Sequence, residues 1–453
     1  MNITILGGGK FGYSIAEQLS AEDHDVVIID NNEKRVERFT SSLDVMGVVG
    51  NGASYLVQRE AGVAQADLFV AATQSDEVNL LSCLVAHKLG AKHTAARVRN
   101  PEYNEQLSFM QNDLGVSLAI NPDYEAASDI FRTLRFPAAT KVETFSRSRA
   151  ELVELKLTAG NPLIGKPLYS IAQRFPFEFL ICAVQRGEQV FIPGGGFVLE
   201  ENDRIHVTAH NAEIERFFKE LGVLRPQAKN VMIIGGGRIT YYLARRLISA
   251  GVSVKIIERN EARARQLSEL LPKALVFRGD GNDQDLLIEE GIERADAFVA
   301  LTGVDEENII LGMYAHSKNV STIITKVNQT ALIPLLNDTI ADGIISPKGI
   351  TASQVIRYAR SINSSAENSI QTLHRMVGGQ VEAIEFRVKK DSRIIGVPLK
   401  DLKFKHNLLI ACILRGSRVI IPNGNSEIVF GDRVIIVSVN HRFDELSDIF
   451  ADN

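Results

Sequence analysis

The sequence predicts an α/β protein in which two doubly wound parallel sheets follow one another along the chain, each succeeded by a small strand-rich α+β lobe. Three observations support this fold class. The chain repeats itself once, apolar strand runs alternate with longer helical patterns in the first part of each repeat, and Val, Ile and Leu runs separated by Gly and Pro make up the second part. A length of 453 residues also exceeds what one hydrophobic core usually serves.

The internal repeat extends over nearly the whole chain. The glycine-rich run at Gly7 returns at Gly235, and a Gly-x-Pro-Leu segment at Gly165 returns at Gly396. The offset between matching residues stays between 228 and 231, and chance does not keep two segments in register over such a length. The chain is therefore interpreted as two copies of one two-part unit.

The repeat divides the chain into successive predicted segments. They are a first sheet domain at residues 1–122, a connecting helix at 123–149, a first lobe at 150–222, a second sheet domain at 228–348, a connecting helix at 349–379 and a second lobe at 381–453. The helical patterns themselves cover residues 123–135 and 352–375. Pro137 and the Gly378-Gly379 pair are expected to end them, and the junction between the halves falls near residues 224–228.

The composition is that of an ordinary globular protein and excludes several classes. A formal net charge of −5 provides no basic surface for nucleic acid, which is not expected as a partner. No stretch approaches the roughly 18 apolar residues that cross a bilayer, and the N-terminus is typical of a strand rather than of a signal peptide. A cytoplasmic chain is expected, with Cys83, Cys182 and Cys412 as buried thiols among aliphatic residues.

A glycine fingerprint follows the first predicted strand and opens the first predicted helix. Its G-x-G-x-x-G pattern is formed by Gly7, Gly8, Gly9, Lys10, Phe11 and Gly12. Glycines allow a tight turn and a close approach of the backbone to pyrophosphate, while the helix N-terminus supplies N–H donors. Asp30 ends the second strand, where a carboxylate accepts hydrogen bonds from ribose hydroxyls and repels a 2′-phosphate. The segment predicts a Rossmann-type site for NAD(H) or another unphosphorylated adenosine ribose, the alternative being a turn that only packs strand on helix.

Two later strand ends supply further candidates. Thr73 and Gln74 follow a strand at the edge where α/β sheets bind ligands. The Thr73 hydroxyl is expected either to bind ribose or phosphate or to cap the following helix. Arg97 ends the strand-like run at residues 94–98, and it is interpreted either as a partner of phosphate or as a solvated or interface arginine.

The second copy keeps most of this pattern and changes one position. Its fingerprint residues are Gly235, Gly236, Gly237, Arg238 and Ile239. Thr240 replaces the third glycine, which normally lets helix and strand pack closely, so pyrophosphate is expected to lie differently or a mononucleotide to bind instead. Glu258 keeps the ribose-recognising acid. The equivalents of the first copy's strand-end candidates are Thr302, Gly303 and Lys326.

Together these residues resemble the RCK (or KTN) family of regulators of potassium conductance. The resemblance rests on the doubled glycine fingerprint, the two strand-end acids and the doubled Gly-x-Pro-Leu lobe, and it covers essentially the whole chain. It implies a homotetrameric cytoplasmic ring, peripheral on the inner face of the cell membrane, under a Trk-type potassium-conducting membrane subunit. It also implies that NAD(H), or ATP or ADP, binds through the fingerprint and strand-end residues named above and changes the shape of the ring.

An NAD-dependent oxidoreductase is the rival interpretation. Such an enzyme needs a positioned proton donor beside the nicotinamide. The residues repeated in the two lobes are Gly, Pro, Leu and a turn-type Asp-Arg pair, without a repeated titratable set, and the nine histidines form no spaced metal-binding set. A regulator is therefore favoured over an enzyme, and a redox sensor without a membrane partner is a third interpretation.

Overall fold

The computed structural model divides the chain into two compact units. One unit comprises Met1–Phe131 with Lys229–Ala359, and the other comprises Arg132–Ala228 with Arg360–Asn453. The described residues are 1–103, 106, 113–135, 141–145, 150–222, 227–329, 332, 342–363, 370–377, 380–441, 443 and 445–451. Pro137, Gly378, Gly379 and residues 224–226 lie outside them. Each unit therefore combines one part of the first repeat with the same part of the second.

The first copy of the parallel sheet lies in the first unit. Its strands are β1 Asn2–Leu6, β2 Asp25–Asp30, β3 Met46–Val49, β4 Leu68–Ala71, β5 His93–Arg97 and β6 Leu118–Ile120. Its helices are α1 Lys10–Ser20, α2 Glu33–Ser42, α3 Tyr55–Glu60, α4 Asp76–Leu89 and α5 Pro122–Arg135. The strands run parallel in the order β3-β2-β1-β4-β5-β6. The order reverses between β1 and β4, which places a ligand-binding crevice at the carboxyl ends of these two strands.

Apolar side chains at consecutive positions bury the central strands on both faces, as a parallel sheet covered by helices requires. Every residue of β4 has an exposed fraction of 0%. Helix α1 presents Phe11, Ile15 and Leu19 to the sheet at four-residue spacing, and all three are buried. The predicted α/β fold class is confirmed.

The first lobe lies in the second unit. Its strands are β7 Lys141–Phe145, β8 Ala150–Lys156, β9 Phe179–Arg186, β10 Gln189–Phe191 and β11 Arg204–His210, and its helices are α6 Leu168–Arg174 and α7 Asn211–Glu220. The strands are antiparallel in the order β10-β9-β11-β8-β7. One face of this sheet packs against the two helices through Ile171, Ile214 and Phe217.

The second copy of the parallel sheet belongs to the first unit. Its strands are β12 Asn230–Ile234, β13 Ser253–Glu258, β14 Leu275–Arg278, β15 Ala297–Ala300, β16 Thr322–Lys326 and β17 Gly343–Ile345. Its helices are α8 Arg238–Ser249, α9 Glu261–Leu270, α10 Gln284–Glu289, α11 Asp305–Ser317 and α12 Pro347–Asn363. The order β14-β13-β12-β15-β16-β17 repeats the topology of the first copy.

The second lobe corrects part of the sequence prediction. Its strands are β18 Ile370–Met376, β19 Val381–Arg387, β20 Leu408–Arg415, β21 Arg418–Ile420 and β22 Arg433–Val439, in the order β18-β19-β22-β20-β21. The helix expected over residues 352–375 ends at Asn363, and β18 occupies its predicted last turns. Likewise β7 lies inside the connecting helix expected at 123–149.

For β18 the reason for the error is a three-residue spacing of apolar side chains. Such a spacing places two residues on one face of a helix but on opposite faces of a strand. Leu373 and Met376 are three apart, and they enter two different cores on the two sides of β18. On β7, which follows the predicted end of the first helical pattern, Val142 and Phe145 also enter two different cores.

The two lobes share one hydrophobic core between their sheets, and each lobe also has a core of its own. Phe145, Leu152 and Cys182 of the first lobe belong to the same buried cluster as Met376 and Cys412 of the second. One face of each lobe's sheet is therefore buried against the sheet of the other lobe. Both cysteines are buried thiols, as expected.

The two sheet domains of the first unit are in contact through α8 of the second copy and residues in and before α5 of the first. The Asn121 amide donates to the Tyr242 hydroxyl at 2.9 Å, and that hydroxyl donates to the Arg99 carbonyl at 3.1 Å. Arg246 donates to the Ser128 hydroxyl at 2.6 Å and lies over the ring of Phe131. This contact brings the N-terminal end of α8 close to the first copy's glycine-rich loop.

Candidate functional site

The glycine-rich loop of the first copy needs glycine at its two ends. Gly7 has a φ of +111°, in the left-handed region, and its N–H donates to the Ile29 carbonyl at 2.8 Å. A Cβ atom on Gly12 would lie 1.9 Å from the Gly7 carbonyl oxygen, whereas one on Gly9 would meet nothing within 4 Å. Gly12 therefore permits the close approach of helix and strand, and Gly9 leaves open space for a ligand.

Asp30 fixes the loop from the end of β2. Its carboxylate accepts hydrogen bonds from the Gly8 N–H at 2.6 Å and the Asn32 N–H at 2.8 Å, and the residue is 5% exposed. Arg35 lies 3.6 Å away. A carboxylate has about four lone-pair positions, so these contacts leave acceptor capacity for ribose hydroxyls. The sequence prediction missed the role of Asp30 in holding the loop itself.

Thr73 does not cap the helix that follows it, because Ser75 occupies that position and accepts from the Val78 N–H. Thr73 is instead held by Asn79, whose side-chain oxygen accepts from both the Thr73 N–H and its hydroxyl. The Asn79 amide also donates to the Arg97 carbonyl at 2.8 Å. Asn79 therefore ties together the ends of β4 and β5.

Arg97 is 8% exposed, so the alternative of a solvated arginine was wrong. Its guanidinium donates to the Thr73 carbonyl and lies 4.9 Å from the ring centre of Phe11. Burial, together with the nearby charge of Arg99, lowers its pKa to about 10. Among the described residues its Nε has no hydrogen-bond partner. A buried cation with unused donors favours an anionic ligand.

A cavity of about 1100 Å³ opens on this loop and extends to the second copy. Its volume exceeds the roughly 300–1,000 Å³ of pockets for drug-sized ligands, so it has room for a dinucleotide. Of the described residues that line it, seven are basic and two acidic. The second copy contributes Arg238, Pro347 and Lys348. The resulting excess of positive charge is suited to phosphates.

Most of the predicted first-site residues line this cavity together. They are Gly7, Gly8, Gly9, Lys10, Phe11, Asp30, Thr73, Gln74 and Arg97. Gly12 lies beneath the loop as a packing residue. Of the residues predicted for the second site, Arg238 also lines the first copy's cavity, where its guanidinium is 3.9 Å from Asp123.

The second glycine-rich loop repeats the first with two differences. Glu258 accepts from the Gly236 N–H at 2.5 Å, as Asp30 does from Gly8. Thr240, which is fully buried, donates its hydroxyl to the Gly235 carbonyl. Arg263 donates to the carbonyls of Gly236 and Gly237. Thr240 and Arg263 therefore hold the second loop through its carbonyl groups.

The remaining second-copy candidates form the same framework as in the first copy. Asn308 accepts from the Thr302 N–H at 2.8 Å and donates to the Lys326 carbonyl at 3.0 Å. The Lys326 ammonium donates to the Thr302 carbonyl, and burial lowers its pKa. Gly303 is exposed, and a side chain there would meet nothing within 4 Å.

Sequence reasoning missed several residues that the repeat could have revealed. Asn79 recurs as Asn308 and Arg35 recurs as Arg263, each at the offset of the glycine loops or one residue more. Lys348 carried no such signal, since its counterpart in the first copy, the second residue of α5, is Asp123, and the two lie 225 positions apart, outside the offset of the other matches. Its place in the cavity follows from the packing of the two copies.

The family comparisons agree with the doubled architecture. The chain matches the TrkA-N domain over residues 3–122 and 231–347, and the TrkA-C domain over residues 152–222 and 383–451. The chain belongs to the TrkA family. Among relatives of this family, the Trk system potassium uptake protein TrkA of Vibrio alginolyticus is 33% identical over 100% of this chain and 98% of its own. The TrkA homolog of Archaeoglobus fulgidus is 33% identical over 99% of this chain and 100% of its own.

Solved structures share the fold of this TrkA family member. The GsuK channel bound to NAD superposes with a TM-score of 0.63 at 20% identity, covering 97% of this chain and 76% of that one. The GsuK RCK domain superposes with a TM-score of 0.64 at 20% identity, covering 97% and 92%. Within the described part of the family member, no helix has the length and apolar character needed to cross a membrane.

Proposed function

We propose that the protein is a cytoplasmic regulatory subunit that binds NAD(H) or an adenine nucleotide and controls potassium uptake through a Trk-type membrane subunit. The observation that carries this proposal is the cavity on the first glycine-rich loop. There the Asp30 carboxylate holds the loop by a hydrogen bond, and the space beside Gly9 is empty. The Nε of buried Arg97 has no hydrogen-bond partner among the described residues. Such an arrangement accepts ribose hydroxyls at one end and phosphates at the other.

The proposed nucleotide ligands form two sets. The first is Gly7, Gly8, Gly9, Lys10, Phe11, Gly12, Asp30, Thr73, Gln74 and Arg97, and the second is Gly235, Gly236, Gly237, Arg238, Ile239, Glu258, Thr302, Gly303 and Lys326. The GsuK structures with NAD and with ADP share this fold, which supports both dinucleotides and adenine nucleotides as candidates. The first loop is the better site, because the cavity of about 1100 Å³ with its excess of basic residues opens on it.

The relatives named for potassium uptake support a partner that moves potassium. We place the protein at the inner face of the cell membrane, as a homotetramer under the conducting subunit. Similar domains on one chain expose similar faces, and head-to-tail contacts between such faces close into rings. Nucleotide would control such a ring only by binding one of its arrangements more tightly than another.

Reconstitution tests this function. The membrane subunit is placed in liposomes, and potassium flux is measured with and without the full-length protein and with NAD, NADH, ATP or ADP. Nucleotide should change flux only when the protein is present, and light scattering should report a tetramer. The Asp30→Ala variant should lose the nucleotide response. Asp25→Ala, at the exposed start of the same strand, should keep it.

Two results would contradict the proposal. One is flux that the protein and all four nucleotides leave unchanged. The other is a nicotinamide absorbance change when the protein turns over candidate substrates with NADH, which would instead support an enzyme.

A further inference from the structure

The first copy buries two polar side chains at positions where the second copy buries two leucines. Gln58 of α3 and Ser82 of α4 are both 0% exposed. Their counterparts, 229 positions later, are Leu287 and Leu311, which belong to the apolar core of the second copy. The same fold therefore forms with an apolar pair at these positions, and burial of a polar group is unfavourable unless the group is hydrogen-bonded. The fold alone does not explain why the first copy is polar here.

The Gln58 side chain links two separate segments of the first copy. Its amide nitrogen donates to the Gly52 carbonyl at 2.6 Å and to the Ser82 carbonyl at 3.0 Å. Because both partners are carbonyl oxygens, the nitrogen of the amide, and not its oxygen, must face them. Gly52 lies in the loop between β3 and α3, and Ser82 lies in the middle of α4. Leu287 has no donor and cannot make such a link in the second copy.

The linked loop forms part of the wall of the first cavity. Asn51 lines the cavity, and the first N–H of the loop donates to the Asp30 carbonyl at 2.9 Å. Gly52 packs directly on β1, since a Cβ atom there would lie 2.0 Å from the side chain of Leu6, the residue before the glycine-rich loop. The loop therefore contacts both the strand that ends at Asp30 and the start of the glycine-rich loop.

The helix at the other end of the link holds further lining residues of the cavity. Asn79 of α4 accepts from the Thr73 N–H and donates to the Arg97 carbonyl, and both Thr73 and Arg97 line the cavity. Ser82 follows Asn79 by three residues, so the two lie on one buried face of the helix. Through Gln58, the loop is thus tied to the helix that fixes the ends of β4 and β5.

We propose that Gln58 is a positioning residue of the first nucleotide site, which fixes the loop at Asn51 relative to α4. The inference rests on the proposed nucleotide site. Gln58 is fully buried, so it acts through the loop and not by contact with the ligand. A loop that is already held in one conformation loses less freedom when the ligand binds, and this increases the affinity.

Calorimetric titration of the full-length protein with NADH tests this role. Gln58→Met keeps the length and approximate volume of the side chain and removes both hydrogen bonds. The affinity for NADH should fall by about tenfold, as the loss of two hydrogen bonds allows. The matched control, Leu287→Met, conserves volume at the same position of the second copy, where there is no hydrogen bond to lose, and should leave the affinity unchanged. Unchanged affinity in Gln58→Met would overturn the inference.

A double variant separates positioning from support of the fold. Among the described residues, Gln58 Oε1 and Ser82 Oγ have no hydrogen-bond partner. Gln58→Leu combined with Ser82→Ala removes both of these buried polar atoms, and replacement of buried polar groups by apolar ones of similar shape is nearly neutral or stabilising. This variant should melt close to the wild-type temperature or above it, yet bind NADH as weakly as Gln58→Met. Wild-type affinity in the double variant would assign Gln58 a structural role only and overturn the inference.

Hydrogen exchange of the unliganded protein locates the effect in the chain. Amides of residues 50–54 should exchange faster in Gln58→Met than in the wild type, because the loop has lost its link to α4. Amides of residues 279–283, the equivalent loop of the second copy, should exchange at the wild-type rate. Equal exchange of residues 50–54 in both proteins would overturn the inference and leave the proposed function standing. If the wild type binds none of NAD, NADH, ATP and ADP, the proposed function fails and this inference fails with it.

Discussion

The side-chain hydroxyl of Thr240 donates a hydrogen bond to the main-chain carbonyl of Gly235, across the loop between β12 and α8. In the first copy the equivalent pair is Gly12 and Gly7, where any Cβ atom would strike the carbonyl. The second copy thus accommodates a β-branched residue at this position because the threonine hydroxyl forms a hydrogen bond with the Gly235 carbonyl.

This contact predicts the effect of two substitutions at Thr240. Thr240→Val keeps the shape but leaves the Gly235 carbonyl without its donor, which should lower the free energy of unfolding by about 1–3 kcal/mol. Thr240→Ser keeps the hydroxyl and should be less harmful. Denaturant unfolding of the full chain compares the two. Equal stability of the Val and Ser variants would show that the hydroxyl contributes nothing.

Asp30→Ala should weaken nucleotide binding at the first loop and also loosen the loop. The variant loses the acceptor proposed for the ribose hydroxyls. It also leaves the Gly8 N–H without the carboxylate to which it donates a hydrogen bond in the wild type. Each unpaired group of this kind costs about 1–3 kcal/mol, so NADH affinity should fall by about tenfold or more. Calorimetry measures it. Asp25→Ala, on the exposed start of β2, is the control and should bind as the wild type does.

Two glycines of the first loop should respond differently to alanine. Gly12→Ala puts a Cβ 1.9 Å from the Gly7 carbonyl oxygen, so helix α1 must move, and overpacking of this kind costs about 1–3 kcal/mol of stability. Gly9→Ala meets no atom within 4 Å and should melt as the wild type does, yet its methyl group enters the space proposed for phosphate. Paired melting and binding curves separate the effects. If Gly9→Ala binds NADH as tightly as the wild type does, the phosphates do not bind beside Gly9.

Asp123→Asn should stabilise the unliganded protein in a pH-dependent way. Burial raises the pKa of Asp123 above its ordinary 3.8, although Arg238 opposes the shift. A carboxyl group with a raised folded-state pKa stabilises the folded protein when protonated, and that contribution is lost as the pH rises through the folded pKa. The advantage of the Asn variant should therefore be present at neutral pH and vanish as the pH falls to 3.8. Urea midpoints of both proteins across this range measure it, and an advantage that grows on acidification would contradict the assigned burial effect.

The sheet domains were predictable because their signals are local. A run of apolar residues, a glycine turn and a strand-end acid occur in sequence order. This order indicated that Asp30 and Glu258 lie at the site, although it did not reveal that their carboxylates accept hydrogen bonds from the loop N–H groups. The secondary structure at the start of the second lobe was harder to predict from the sequence. Leu373 and Met376 have a spacing that suits helix or strand, and only the pairing of β18 with β19 decides between them.

Only those site residues that belong to the first copy itself could be predicted from the sequence. Gly7 and Arg97 lie within one domain, and the topology of the sheet brings their strand ends together. Lys348 enters the cavity through the packing of two domains whose residues are separated by more than two hundred positions, and no local pattern encodes that packing. The hydrogen bond from Arg263 to the Gly236 carbonyl likewise depends on the placement of a side chain.

The core shared by the two lobes has a consequence for how the chain is made. Cys182 and Cys412 belong to one cluster, yet the ribosome produces the second 230 residues after the first. At roughly 5–20 residues per second, the first lobe waits on the order of ten seconds or more for the strands that cover it. During that interval its inner sheet face, with Phe145 and Leu152, is bare in the nascent chain. Premature termination in the second half therefore releases a product with an uncovered apolar sheet, a substrate for chaperones or for aggregation rather than a working half-protein.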